Sequence, residues 1–159
     1  MREILDLLER DCRLTPADIA VRLSLEADAV REAIAAAERD GVIVGYSALV
    51  NWERSETPKV YAMIAVEATP EHGKGFDAVA EYIARFDEVH SVYLMSGASD
   101  LQVVVEGDDF REIARFVAEK LAVAPGVRGT ATSFVLKTYK IEGRLAQDAA
   151  QSGRLAVTP

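Results

Sequence analysis

A short run of small side chains ending in a carboxylate, Ser96-Gly97-Ala98-Ser99-Asp100, is the stretch of this chain best suited to ligand chemistry. A turn built from such residues exposes backbone N–H groups that can hold an anion. A neighbouring aspartate can accept a charge-assisted hydrogen bond from an ammonium group. Side by side, the two match the ends of a free amino acid. Ser96, Gly97, Ser99 and Asp100 are therefore candidate ligand-binding residues. Thr130 and Thr132 alternate onto one face of a later extended segment and add hydroxyls. The turn also reads without a ligand, with Gly97 serving a β-turn and Asp100 capping it.

A second group of candidates is cationic. Arg22, Arg31 and Arg39 lie in or beside helical patterns and could meet the phosphates of nucleic acid. Arg31 reads equally as a solvated helix charge, and Arg39 as half of an ion pair with a neighbouring acid. The remaining reactive types form no constellation. His72 and His90 are separated by a helix, and with Cys12 as the one cysteine they make no metal-ligand pattern. Cys12 has no paired base, so nucleophilic catalysis is not expected. Asp108-Asp109 before Phe110 reads as a helix N-terminus rather than a catalytic pair. No metal, cofactor or catalytic group is expected.

The elements that must position these residues fall into two sets. The chain has 159 residues, enough for one ordinary domain or two small ones, and with 50% apolar and 28% charged residues it is globular. A single cysteine excludes an intrachain disulfide framework, and a reducing cytoplasm fits. The N-terminus is charged within its first turn, and no apolar run approaches the roughly 18 residues of a membrane span. The expected location is cytoplasmic. Against 18 Lys and Arg stand 26 Asp and Glu, a net charge of −8, which weighs mildly against a nucleic-acid partner.

Residues 1–43 read as three helices. The first covers 2–10. The second opens at Thr15-Pro16-Ala17-Asp18, with Thr15 as N-cap and Pro16 at the first helical position. A break at Ser24-Leu25 precedes a third helix over about 27–40, with Val30, Ile34 and Ala37 facing inward and Gly41 as a left-handed cap. Residues 42–46, continued by 48–50, read as a wing strand that becomes a linker. The polar segment 51–58 is the expected domain boundary. Residues 59–143 then give strand, helix, strand, strand, helix, strand. The strands cover 60–66, 89–95, 101–105 and 127–139, and the helices carry Phe76 to Phe86 and Phe110 to Leu121. That order is an α+β fold: a ferredoxin-like βαββαβ sandwich behind a winged helix-turn-helix. Residues 144–159 read as a tail that frays.

With these motifs in this order, the chain resembles the Lrp/AsnC (feast/famine) family of prokaryotic transcription regulators over roughly residues 1–141. The resemblance rests on Leu14-Thr15, Ile19-Ala20, Leu23 and the run from Glu38 to Tyr46. It rests further on the stretch from Ser96 to Val105, and on Gly126-Val127 with Thr130-Ala131-Thr132-Ser133-Phe134-Val135-Leu136-Lys137. Asn51-Trp52-Glu53, Thr69-Pro70 and Gly75-Phe76-Asp77 are similar to one subgroup. The resemblance implies an N-terminal domain that binds double-stranded DNA and a C-terminal domain that binds an effector, usually an amino acid. It also implies a homo-oligomer, a dimer or a ring of dimers, and Trp52 is expected to pack on a partner subunit.

Two departures stand out. The third helix holds Glu32, Ala33, Ala35 and Ala36 where the family commonly places basic residues, and residues 1–54 carry seven Arg against eleven acids. Ser99 stands where the family usually has an aromatic. Two alternatives therefore stay open. One is an oligomeric small-molecule sensor or corepressor with little DNA binding. The other is an enzyme similar to sirohaem decarboxylases, against which Met95 occupies the place of an arginine two residues after Tyr93. The apolar strands exceed what two helices of about twelve residues can cover, so the sheet is expected to present an interface.

Overall fold

The computed structural model describes residues 1–73 and 75–146. The chain divides into two compact units, residues 1–49 and the remainder.

The first unit holds three helices: α1 (Arg2–Arg10), α2 (Pro16–Leu23) and α3 (Ala27–Arg39). Helix α2 begins with a reciprocal box. The Thr15 hydroxyl accepts from the Asp18 N–H at 3.2 Å, and the Asp18 carboxylate accepts from the Thr15 N–H at 2.9 Å. Two exposed donors at a helix start are thus satisfied at once. These bonds from Thr15 hold the Asp18 carboxyl below the usual carboxylate range. Ser24 turns left-handed at φ 55°, letting the chain reverse between α2 and α3, and Gly41 does the same at φ 70° after α3. Ile4, Leu8, Ile19, Ala20 and Val30 form the buried centre, with Leu23 and Ile34 packed against it.

The expected wing strand over 42–46 does not form within one chain. Residues 44–50 carry no regular secondary structure, and Val44 is 96% exposed. The β-branched pattern favours extension, but a strand requires a hydrogen-bonded neighbour, and no segment of this unit supplies one.

The second unit is the βαββαβ sandwich. Its elements are β1 (Val60–Ala68), α4 (Asp77–Ile83), β2 (Val89–Leu94), β3 (Leu101–Gly107), α5 (Phe110–Phe116) and β4 (Val127–Phe134). The four strands form one antiparallel sheet in the order β2-β3-β1-β4. Ala62, Ile64, Val66 and Ala68 of β1 and Leu101, Val103 and Val105 of β3 point to one face. There they meet Val79 and Ile83 of α4 and Ile113, Phe116 and Leu121 on the other helical segment. The first helix is shorter than expected, whereas the second keeps its expected span from Phe110 to Leu121. The second passes into a π-helical turn over Val117–Leu121 before Pro125-Gly126 ends it.

The last strand also differs, ending at Phe134 rather than near Tyr139. Beyond it, β5 (Lys140–Ile141) and β6 (Arg144–Leu145) pair as a small hairpin. The polar segment 51–58 contains a 3-10 turn at Trp52–Arg54 that is anchored to this C-terminal stretch. The Glu53 carboxylate accepts from the Thr138 N–H at 2.6 Å, and the Asn51 amide donates to the Ala146 carbonyl at 2.6 Å. Trp52 has a contact in its own chain: the Lys59 ammonium lies 4.8 Å from its ring centre. Of the expected tail, residues 144–146 belong to the hairpin and 147–159 lie outside the described residues. Among the described residues no helix is long and apolar enough to cross a membrane.

Candidate functional site

The 96–100 turn joins β2 to β3, and Asp100 fixes it to the end of β1. The Asp100 N–H donates to the Val66 carbonyl at 3.1 Å, and the Asp100 carbonyl accepts from the Met95 N–H at 2.9 Å. Its side-chain Oδ2 accepts from the Ala68 N–H at 2.8 Å. The Asp100 side chain therefore reaches a strand end 32 residues away in sequence rather than capping its own turn. The bonds engage Oδ2 and leave Oδ1 without a partner among the described residues. Ser96, Gly97 and Ala98 are exposed and Ser99 is half-buried. Gly97 has no left-handed φ, and a Cβ added there would meet nothing within 4 Å. Neither the turn geometry nor packing within one chain requires glycine at this position.

Thr130 and Thr132 are not brought to Asp100. In β4, Thr130 stands opposite Val66 and Thr132 opposite Ile64, so both lie on the helix side of the sheet at its edge. Leu101 stands opposite Val66 from the other side. Two strand spacings, about 10 Å, thus separate Thr130 from the start of β3. The cause is a bulge. The pairing shifts between Glu67 and Ala68, so that Val127 faces Ala68 and Gly129 faces Glu67. One extra residue in β4 reverses the facing of everything after it. Phe134 consequently packs with the core, edge-on to Phe110 at 4.9 Å.

The extra residue is Arg128, which the sequence reading missed. Its Nε donates to the Ala68 carbonyl at 3.3 Å, and its guanidinium lies 3.7 Å from Asp100 Oδ2. A cation and a carboxylate therefore sit together beside an open turn. The one available signal was its place as the first charge after the Pro125-Gly126 break.

The candidate nucleic-acid residues lie in the first unit. Arg22 is in the last turn of α2 and is exposed. Arg39 ends α3, is exposed, and makes no ion pair among the described residues, contrary to the expectation that an acid would neutralise it. Arg31 is the paired one: its guanidinium bonds Asp28 one turn back. Arg13 is likewise held, with its guanidinium on Asp11 at 2.8 and 3.0 Å. Such exposed pairs contribute little to stability, but they lower the charge available to phosphates. The N-terminus of α2, otherwise an anion site, already faces the Asp18 carboxylate.

A third cluster lies along β1 and β3. Lys59 Nζ is 2.7 Å from Glu106, and His90 Nδ1 is 3.9 Å from the same carboxylate. The Lys59 hydrogen bond keeps the Glu106 carboxyl below its usual range against the opposing effect of burial. Burial, then the Glu106 charge, pushes the Tyr61 phenol up to about 12. Among the described residues no group of three or more His, Cys, Asp or Glu side chains could hold a metal ion.

Comparison with known proteins bears on both units. A winged helix-turn-helix DNA-binding family matches residues 1–44, and the Lrp/AsnC ligand binding domain matches residues 61–145. The chain belongs to the Lrp/AsnC family and is a transcriptional regulator of that type, with a ligand-binding domain. It is 41% identical over 158 residues to an uncharacterised HTH-type transcriptional regulator of Bacillus subtilis, YugG, covering 99% of this chain and 95% of that one. Among solved structures, it is similar to a transcriptional regulator of Neisseria meningitidis in complex with L-Met. That match has 26% identity and a TM-score of 0.68 over 87% of this chain and 89% of the other. A feast or famine regulatory protein of Mycobacterium tuberculosis complexed with L-methionine is also similar, at 25% identity and a TM-score of 0.70 over 88% and 92% of the two chains.

Proposed function

We propose that this regulator binds double-stranded DNA in the cytoplasm as a homo-oligomer and answers to an amino acid held at the 96–100 turn. The observation that carries the effector reading is the Asp100–Arg128 pair beside that turn. A free amino acid is a zwitterion. Its ammonium suits the unengaged Asp100 Oδ1, and its carboxylate suits Arg128 and the turn N–H groups. The L-methionine complexes of two similar proteins support the same class of ligand.

The turn is open in a single chain, and Thr130 and Thr132 stand across the sheet from it. A second copy is the proposed source of the missing wall. The face of the sheet away from the helices supports this, because Met63 and Tyr93 on it are about half exposed. Calorimetry with the twenty amino acids on the full chain tests the effector reading. The Asp100→Asn variant keeps an acceptor for the Ala68 N–H but removes the charge. It should bind ten- to a hundredfold more weakly, the measure of a lost charge-assisted contact. Equal affinity would remove Asp100 from the site. Sedimentation of the full chain at micromolar concentration should give a dimer or larger, and a clean monomer would contradict the oligomer.

The charge of the first unit favours a second reading. With seven Arg against eleven acids in residues 1–54, an oligomeric sensor or corepressor that hardly touches DNA fits the same ligand domain. Binding of an amino acid without any duplex binding would select it. No catalytic role is proposed; the relatives are transcriptional regulators.

A further inference from the structure

The outward stripe of α3 is not basic, and its centre is a carboxylate. Val30 and Ala37 are buried, and Ile34 packs beside them, which fixes the inner face. At 100° per residue, Glu32 lies roughly 170° around the helix from the centre of that face. Asp28 and Arg39 share its stripe, with Ala35 and Ala36 between them. Asp28 is occupied by Arg31. Glu32 is exposed and has no hydrogen-bond or ion-pair partner among the described residues. Nothing in the fold of the unit uses it, and no longer side chain in the next turn of the stripe screens it.

We infer that Glu32 is a specificity-determining residue that reads a cytosine in the major groove. The inference rests on the DNA-binding reading above, with α3, the second helix of the helix-turn-helix, as the one that enters the major groove. An ionised carboxylate offers acceptors only. Most of the major-groove edge repels it: guanine shows N7 and O6, and thymine shows O4. The donors are the cytosine N4 amine and the adenine N6 amine, and adenine sets its amine beside the N7 acceptor. Cytosine is the base at which the carboxylate is matched. Elsewhere it faces acceptors and phosphates and weakens binding. One side chain thus lowers affinity for arbitrary DNA while favouring sites with cytosine in reach, which is specificity gained by penalising the wrong partner. An acidic helix and a DNA-binding role are then compatible.

The test is selection of binding sites from a random duplex library at low salt, using full-length wild type, Glu32→Gln and Glu32→Ala. Glu, Gln and Ala are all good helix formers, so α3 is retained. The wild type should enrich sites with a C·G pair at one position of each half-site, preferred about tenfold over other bases. Glu32→Gln should move that preference to adenine, which a glutamine amide matches at N6 and N7. Glu32→Ala should leave the position unspecified, and both variants should bind random duplex more tightly than wild type. The same base preferences in all three proteins, or a wild type that binds duplex with no preference, would overturn the role of Glu32 and leave DNA binding standing. A wild type that retains no duplex would overturn the DNA-binding reading as well.

Discussion

The two units are held together at different ranges. In the first, the side-chain hydrogen bonds are mostly local: Thr15 with Asp18, Arg13 with Asp11, Arg31 with Asp28, Tyr46 with Glu38. Its core is a small knot of residues from three short helices. In the second, the important bonds join distant segments: Asp100 to Ala68, Lys59 to Glu106, Glu53 to Thr138, Asn51 to Ala146. Its core runs continuously across β1 and β3 onto two helices. A short-range unit is specified by caps and turns and can vary its outward face freely. A long-range unit ties its candidate turn to the middle of its sheet, so that a change at Asp100 is felt by the backbone of the neighbouring strand β1.

Core truncations give the largest expected effects. Ile64→Ala, at the centre of the sheet, should cost about 2–5 kcal/mol in urea unfolding followed by circular dichroism. Ile19→Ala in the three-helix core should fall in the lower half of that range, because short helices relax around a cavity more easily. A larger loss at Ile19 would reverse the comparison.

Two glycines sharpen it further. Gly126 is left-handed at φ 83°, and an added Cβ would come within 2.6 Å of Val79 Cγ2. Gly126→Ala should cost about 1–3 kcal/mol, combining backbone strain with overpacking. Gly41 has φ 70° but open space around it, so Gly41→Ala should cost only about 1 kcal/mol, from strain alone. Equal losses at the two sites would mean that Val79 gives way at no cost.

A cap follows in size. Thr15→Ala removes one side of the α2 box and should destabilise the first unit by about 1 kcal/mol in thermal unfolding. No loss would show the box to be dispensable.

The smallest effect is electrostatic and belongs to the second unit. The folded Glu106 carboxyl titrates below its ordinary value of 4.5, chiefly because Lys59 bonds its charged form. Its contribution is therefore present above pH 4.5 and lost as pH falls through the lower folded value. Lys59→Met should reduce stability by less than about 1 kcal/mol at neutral pH, with the difference shrinking on acidification. A difference that grew on acidification would have the wrong sign.

The same division of range explains what was legible in the sequence. The limits of α1, the Thr15 cap and the Gly41 cap follow from neighbouring residues, and so could be read directly. The order of strands and helices in the second unit was equally plain from hydrophobic spacing. The wing segment was not, because β-branched residues declare extension but do not name the partner that would pair with them. At the candidate turn, the run of small residues before Asp100 is visible in the sequence, whereas the bond of Asp100 to Ala68 requires the fold. Thr130 and Thr132 were rightly placed on one face of their strand. Which face depended on the bulge at Arg128, and the small and polar residues between Val127 and Phe134 alternate too weakly in hydrophobicity to display the shift.

The central claim is that an acidic winged helix-turn-helix still binds DNA under the control of an amino acid. A gel-shift salt series with the full chain on the duplex upstream of its own coding sequence, with and without each amino acid, tests it most directly. The expected result is retardation at low salt that fades towards physiological salt, with at least one amino acid changing the affinity. No retardation of any fragment at the lowest salt, with or without amino acids, would contradict the account.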